Sequence, residues 1–275
     1  MGLMPLEAAL WFEIDRDLAS HLAEKRALLS SRHDEAFAAR PDADAPAEEL
    51  LALVADHLPR HHPETFRRDG TRLVNLATGE AWDLARPALH PLDLCGRLVQ
   101  EDYCLLLCEG DHPVLVGASL CAPARWRLAE KLGRPLSAVH AHVPGYDATL
   151  ERPVDRFFAQ LRPGRLVWRL NWGIVDHPAR FQPMRIASAG SIAPESAGEL
   201  LWLRVERQTL RKLPLSDAVV FTIRTHITRL DRAIATPQAA RDLADALGAM
   251  PEEMLRYKQI APFAPALSAW LEARL

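Results

Sequence analysis

LVWRLNWGIV, residues Leu166 to Val175, is followed by LLWLRVERQTL, residues Leu200 to Leu210, and by AVVFTIRTHITRL, residues Ala218 to Leu230. Each run is rich in β-branched and aromatic residues, and each alternates polar and apolar positions as a strand with one face against a core must. Pro and Gly break the chain between the runs, and no helical period intervenes. The three therefore read as consecutive strands. Upstream, Tyr103 to Leu107 and Val114 to Cys121 are apolar runs separated by Glu109-Gly110-Asp111-His112-Pro113, which reads as strand, turn, strand. Between the two groups, Trp126 to Leu132 is helical with Gly133 at its stop. Val154 to Leu161 is a second short helix, closed by Arg162-Pro163-Gly164. Two strands, a helical crossover and three consecutive strands predict an α+β fold built on a five-stranded antiparallel sheet.

The flanks are helical. Residues 6–38 carry Leu10, Ile14, Leu18 and Leu22 at i, i+4 spacing, and Asp42 to Pro46 opens a helix over Ala47 to Leu58 that Pro59 ends. A small hairpin is expected over Leu73 to Leu84. After Pro237 the helical period returns with Ala240, Leu243 and Leu247, then Met254 and Tyr257, then Leu267 to Leu271. The expected organisation is an N-terminal helix and hairpin extension over 1–98, a core over 99–232 and C-terminal helices over 233–275, packed as one unit.

Composition narrows the function classes. Of 275 residues, 49% are hydrophobic and 25% charged, with 33 Lys and Arg against 36 Asp and Glu; this is the balance of a globular chain. A net charge of -3 lacks the basic excess of a nucleic-acid binder. No apolar run approaches the roughly 18 residues a membrane helix needs, and MGLMPLEAALWFEID places acids where a signal peptide carries cations, so a cytoplasmic chain is expected. Cys95, Cys104, Cys108 and Cys121 contain no CxxC pair and read as free thiols. No GxGxxG, GxxxxGK[ST] or GxSxG string occurs, and Ser188, Ser191 and Ser196 lie in a loop with no histidine partner.

Two groups of residues could carry chemistry. On the late strands Arg169 and Asn171, Arg204, Glu206 and Gln208, and Thr222, Arg224 and His226 form polar stripes. Such a stripe is most often a solvated outer face. Arginines set against a carboxylate and an amide also suit a small polar ligand. The second group is the run His140-Ala141-His142-Val143-Pro144-Gly145-Tyr146. An imidazole there could ligate a metal or haem iron through one nitrogen while a backbone carbonyl holds the other, although a single histidine is more often a structural hydrogen-bonding group. No His/Cys cluster has zinc spacing.

Four stretches, taken in order, resemble one family: QEDYCLLL (Gln100 to Leu107), RWRLAEKLGRPLSAVHAHVPGY (Arg125 to Tyr146), VDRFFAQLRPGRLVWRLNWGIVD (Val154 to Asp176) and LRVERQTLRKLPLSDAVVFTIRTHITRL (Leu203 to Leu230). The family is the haem-dependent oxidative N-demethylases, the α subunit of dimethylamine-type demethylating enzymes, and the resemblance runs from about Trp11 to the C-terminus. It implies a PAS-like haem-binding core, a five-stranded antiparallel sheet with a helical crossover, which is the order read from periodicity above. The family's haem b iron has a histidine ligand in an HxPVPG-like segment. His140 to Gly145 matches that segment, so the resemblance implies His140 as the iron ligand, with His142 standing where the pattern has Pro. Trp126 and Tyr146 join His140 and His142 as implied cofactor-binding residues.

The implied chemistry removes an N-methyl group from a small secondary amine as formaldehyde, using O₂. Glu206, with Arg204, Arg224 and Asn171, is the expected catalytic group, since an ammonium needs an anion or an aromatic face such as Trp168, Trp172 or Trp202. Family enzymes draw electrons from NADPH through a separate flavin (FMN) and iron–sulfur reductase. This chain has neither fingerprint, so that partner would be another polypeptide. Two other classes compete: a haem-based gas or redox sensor, which would be expected to carry an output domain, and a haem-free small-molecule-binding module of the same fold.

Overall fold

The computed structural model describes residues 2–110, 112–146, 151–184 and 191–275. Among these residues are ten strands: β1 (Met4–Pro5), β2 (Phe37–Ala39), β3 (Phe66–Asp69), β4 (Arg72–Asn75), β5 (Ala81–Asp83), β6 (Asp102–Glu109), β7 (His112–Ser119), β8 (Leu166–Val175), β9 (Trp202–Lys212) and β10 (Val219–Arg229). The main sheet runs β1-β8-β9-β10-β6-β7-β2 with every neighbouring pair antiparallel, and β3-β4-β5 form a separate meander. The five expected strands are present and contiguous as β8-β9-β10-β6-β7, but the sheet has seven strands rather than five. The two additions, of two and three residues, cap its edges and are too short to show a period of their own.

Register assigns the two faces. Asn171 lies opposite Glu206, and Glu206 opposite Thr225, while Arg224 lies opposite Arg207. Directly paired residues point the same way. Arg169, Asn171, Arg204, Glu206, Gln208 and Thr225 therefore share one face, and Arg207 and Arg224 share the other. The expectation that Arg224 joins Arg204 and Glu206 on one face is thus corrected. Alternation within a strand gives two faces, but only the pairing between strands says which face of β10 matches which face of β9.

Different parts of the chain cover the two faces. Crossover helices at Leu128–Lys131, Leu136–Val139 and Glu151–Gln160 lie over the first face, where Leu128, Phe158 and Leu161 pack on Leu106, Leu115, Val167, Leu210 and Ile223. The second face is covered by Trp11, Phe12, Leu22 and the helices Asp44–His61 and Pro91–Leu98. Toward the far end of β8, Ile174 and Leu203 pack against the C-terminal helices Pro237–Gly248 and Ala264–Glu272.

Several local expectations shift by a turn. The helix expected to stop before Pro59 runs on to His61, because a proline in the last turn removes only one donor and His62 N still reaches Leu58 O at 2.8 Å. The helix expected over Trp126 to Leu132 is confined to Leu128–Lys131. Arg125 takes a left-handed φ of 60°, and Ala124 bridges Gln182, so the preceding residues are drawn out of the helix. The helix Pro91–Leu98 was not foreseen from periodicity; Pro91 at its first turn and the His90 imidazole accepting from Leu92 N are its start signals.

Two predictions test this packing. A Cβ on Gly198 would lie 2.5 Å from Trp270 Cζ2, so Gly198→Ala should lose about 1–3 kcal/mol in a urea unfolding series. His57, wedged edge-on against Trp11 and Phe12, is pushed by burial from 6.5 to about 3. Between those values the unfolded chain binds a proton that the folded one excludes, so this group's contribution is lost as pH falls. His57→Phe should therefore become progressively more stable relative to the native chain as unfolding is followed from pH 7 down to pH 4.

Candidate active site

Glu206 is the centre of the polar half of the crossover face. Its Oε1 accepts from Arg204 Nε at 3.0 Å, and its Oε2 accepts from Asn171 Nδ2 at 3.2 Å and Gln208 Nε2 at 3.0 Å. Gln208 Oε1 in turn accepts from Arg169 Nε at 2.8 Å. Arg204 also donates to Ala122 O, to Thr225 Oγ1 at 3.3 Å and to Arg180 O at 3.4 Å. Both partners are buried, Arg204 at 4% and Glu206 at 8% exposure. The ladder is built by cross-strand pairing on one face, and its donors fix the carboxylate in one orientation.

Above this ladder lies a cavity of about 390 Å³ between the sheet and the crossover. Asn171, Arg204 and Glu206 line it from the sheet side, Trp126, Val139, His142 and Val143 from the crossover, and Tyr257, Lys258 and Gln259 from the C-terminal segment. The polar face is thus covered rather than bare, with Arg204 and Glu206 buried beneath the cavity. A guanidinium closes one wall: Arg125 pairs with Asp176 at 2.6 Å and donates to Gln259 Oε1 at 2.9 Å, and both Arg125 and Gln259 have left-handed backbones. Strained residues of this kind persist where surrounding contacts hold them.

The histidine pair divides its tasks. His140 caps the Leu136–Val139 helix, stacks on the Tyr146 ring at 4.9 Å, and bonds Leu136 O through Nδ1 at 2.9 Å. A proton held on Nδ1 by a carbonyl leaves Nε2 as the lone pair, which is the arrangement of a metal-binding imidazole. Burial also lowers the His140 pKa below its usual value of 6.5, which favours the neutral ring. His142, two residues on, is exposed and lines the cavity, whereas His140 stands behind the lining residues Val139 and His142. Among the described residues no group of three or more His, Cys, Asp or Glu could hold a metal ion.

The remaining expected residues fall elsewhere. Arg224 belongs to the opposite face, where it pairs with Asp15 at 2.7 Å and meets His21 Nδ1 at 3.1 Å. Trp168 is on that face too, beside the Arg207 guanidinium at 5.7 Å. Trp202 lines a separate, more open depression with Arg180, Ile227 and Arg229. Trp126, expected as a cofactor-binding residue, lines the cavity; Trp172 borders it along β8, but its pairing with Val205 turns its ring to the Arg207 face, against the C-terminal helices. Of the loop serines, Ser188 lies outside the described residues. Lys131, Tyr257 and Lys258 were not foreseen, since an isolated residue near a helix end carries no sequence signal for a wall formed by distant segments. No helix of the described residues is long and apolar enough to cross a membrane.

The Arg204–Glu206 pair makes a direct prediction. Arg204→Met leaves the Glu206 carboxylate buried without its cation and should cost about 3–5 kcal/mol in chemical unfolding. Adding Glu206→Gln should restore part of that loss. Equal destabilisation by the single and double variants would show that the two side chains are not coupled.

The family described as haem-dependent oxidative N-demethylase, alpha subunit-like, matches residues 2–268 of the chain, nearly its whole length. The match spans the sheet, the crossover with its histidine pair, and most of the C-terminal segment that closes the cavity. On that match the chain belongs to the haem-dependent oxidative N-demethylase alpha-subunit-like family.

Proposed function

We propose that the chain takes up haem b in the cavity between the sheet and the crossover and demethylates a small secondary amine there, dimethylamine being the first to test. The observation that carries this reading is the coincidence, within one family member, of a cavity walled by Val139, His142 and Val143, next to His140, and floored by a fixed carboxylate. In this reading residues 99–232 form a PAS-like haem-binding core, and 1–98 and 233–275 are its extensions. The residues present suit a haem. His140 has its Nδ1 committed to a carbonyl, Trp126, Val139 and Val143 give apolar surface, and the walls carry several cations. His140 is the assigned ligand, with His142 as the neighbouring candidate and Tyr146 stacked behind His140 to hold its ring.

When bound, haem supplies a reducible iron that binds O₂. Overall, the N-methyl amine, O₂, two electrons and two protons give the shorter amine, formaldehyde and water. The electrons come from NADPH through a separate reductase carrying FMN and an iron–sulfur cluster. The protein's own part is to bind and orient the amine. An ionised carboxylate has about four acceptor positions, and three of those on Glu206 are taken by Arg204, Asn171 and Gln208. The fourth receives one N–H of the ammonium, whose methyl groups then lie against Trp126. Arg204 and Asn171 act by holding the carboxylate rather than by touching the amine. Arg224, on the other face, anchors the N-terminal segment.

The experiment is formaldehyde release from dimethylamine by haem-loaded protein with an NADPH-linked reductase. Turnover is expected, and Glu206→Gln should raise KM or abolish turnover while leaving the Soret band unchanged. His140→Ala should lose or shift that band. Loss in His142→Ala with an unchanged spectrum in His140→Ala moves the ligand to His142. Reducible, O₂-binding iron with no formaldehyde from any of a panel of methylated amines contradicts the enzymatic reading and favours a sensor.

A further inference from the structure

The chain holds 33 lysines and arginines but only four of them are lysines, Lys25, Lys131, Lys212 and Lys258. Two have carboxylate partners: Lys25 lies 3.5 Å from Asp102 and Lys212 lies 3.2 Å from Asp217. The other two both line the cavity. Lys131, on the crossover, donates to Val139 O at 3.1 Å and sits 4.7 Å from the centre of the Trp126 ring. Lys258, from the C-terminal segment, donates to Asn171 Oδ1 at 3.2 Å and to Trp172 O at 2.7 Å. Neither has a carboxylate within ion-pair distance among the described residues.

This sets them apart from the other cations of the same walls. Arg125 is paired with Asp176 and Arg204 with Glu206. Of the cavity's two lining carboxylates, Glu206 has three acceptor positions taken and acts on Lys258 only through its charge, and Glu130 is an exposed neighbour of Lys131 in sequence with no ion pair to it. An ammonium has three donors, so Lys131 keeps two and Lys258 one for a ligand. Burial lowers the pKa of both, a cost that an anion in the cavity would offset.

We infer that Lys131 and Lys258 are the carboxylate-binding residues of this cavity, one from the crossover and one from the C-terminal segment, and that the carboxylates they receive belong to the haem. The inference rests on the proposed haem-binding function and assigns residues to it. The same ammonium groups could instead receive the carboxylate of an N-methylated amino acid, so the test separates the two sources.

Native protein, Lys131→Met and Lys258→Met are freed of haem and reloaded with either haem or its dimethyl ester, which lacks the carboxylate charges. Haem loss to an excess of apomyoglobin is then followed at the Soret band. For haem, each variant should lose the cofactor roughly 10–100-fold faster than the native protein, with Lys258→Arg recovering most of the difference. For the dimethyl ester, variant and native rates should coincide. Unchanged haem loss combined with loss, in the variants only, of the spectral shift induced by N-methylglycine would overturn the cofactor assignment and give the lysines to a substrate carboxylate. Native rates and native ligand shifts in both variants would overturn carboxylate binding altogether while leaving the proposed function standing. Native protein that takes up no haem would contradict the proposed function and this inference together. Far-UV circular dichroism and melting confirm that each variant is folded.

Discussion

Strand β9 carries guanidinium groups on both of its faces, and neither face can be left uncovered or unpaired. Arg204 points to one side and Arg207 to the other, at 4% and 7% exposure. A buried cation without its partners costs several kcal/mol, so each side of the sheet must bring acceptors as well as apolar cover. On the crossover side the acceptors are Glu206, Thr225 and the Ala122 carbonyl. On the other side the N-terminal segment folds across the sheet and supplies Glu13 and the carbonyls of Leu10 and Trp11 to Arg207, and Asp15 to Arg224. The long N-terminal extension is therefore a structural requirement of the sheet. It supplies half the charge partners of the strands that carry the site.

The same constraint divides the molecule by task. Arg207 and Arg224 use their donors to fix the extension, and His21 beside Arg224 stays neutral because burial and the nearby cations push its pKa down to about 2. The crossover face has a different balance, because its helices pack tightly only over the apolar half of the strands, around Leu128 and Phe158. Over the polar half the covering segments stand off and leave the cavity. Its walls carry Arg125, Lys131, Arg204 and Lys258 against Glu130 and Glu206, so the space suits a ligand with anionic groups at its rim and one small cation at its centre.

Much of this was legible in the sequence, and the losses have physical causes. The five long strands and the helical crossover follow from alternation and from the Pro and Gly breaks, and of the three residues expected around the Glu206 carboxylate two, Asn171 and Arg204, are brought to it. Arg224 was misplaced because a single strand's alternation does not state its pairing; the register Thr225 to Glu206 turns Arg224 to the other side. Edge strands β1 and β2 are shorter than one alternation cycle can reveal. Lys258 reaches the site from 87 residues beyond Asn171, a contact that depends on how the C-terminal helices dock on Ile174 and Leu203. The neighbouring histidines were found by their spacing, but their division into a ring held against Tyr146 and a ring on the cavity wall is a property of the turn after Val139.

The central claim is that the cavity between β8, β9 and the crossover is where the cofactor iron lies. A crystal structure of haem-loaded protein, with anomalous diffraction recorded on both sides of the iron absorption edge, locates that iron directly. The account predicts a single iron peak per chain within bonding distance of an imidazole of the His140–His142 segment, on the side of the sheet that carries Glu206. An iron peak on the Arg207 and Arg224 face, or in the depression beside Trp202, would contradict it.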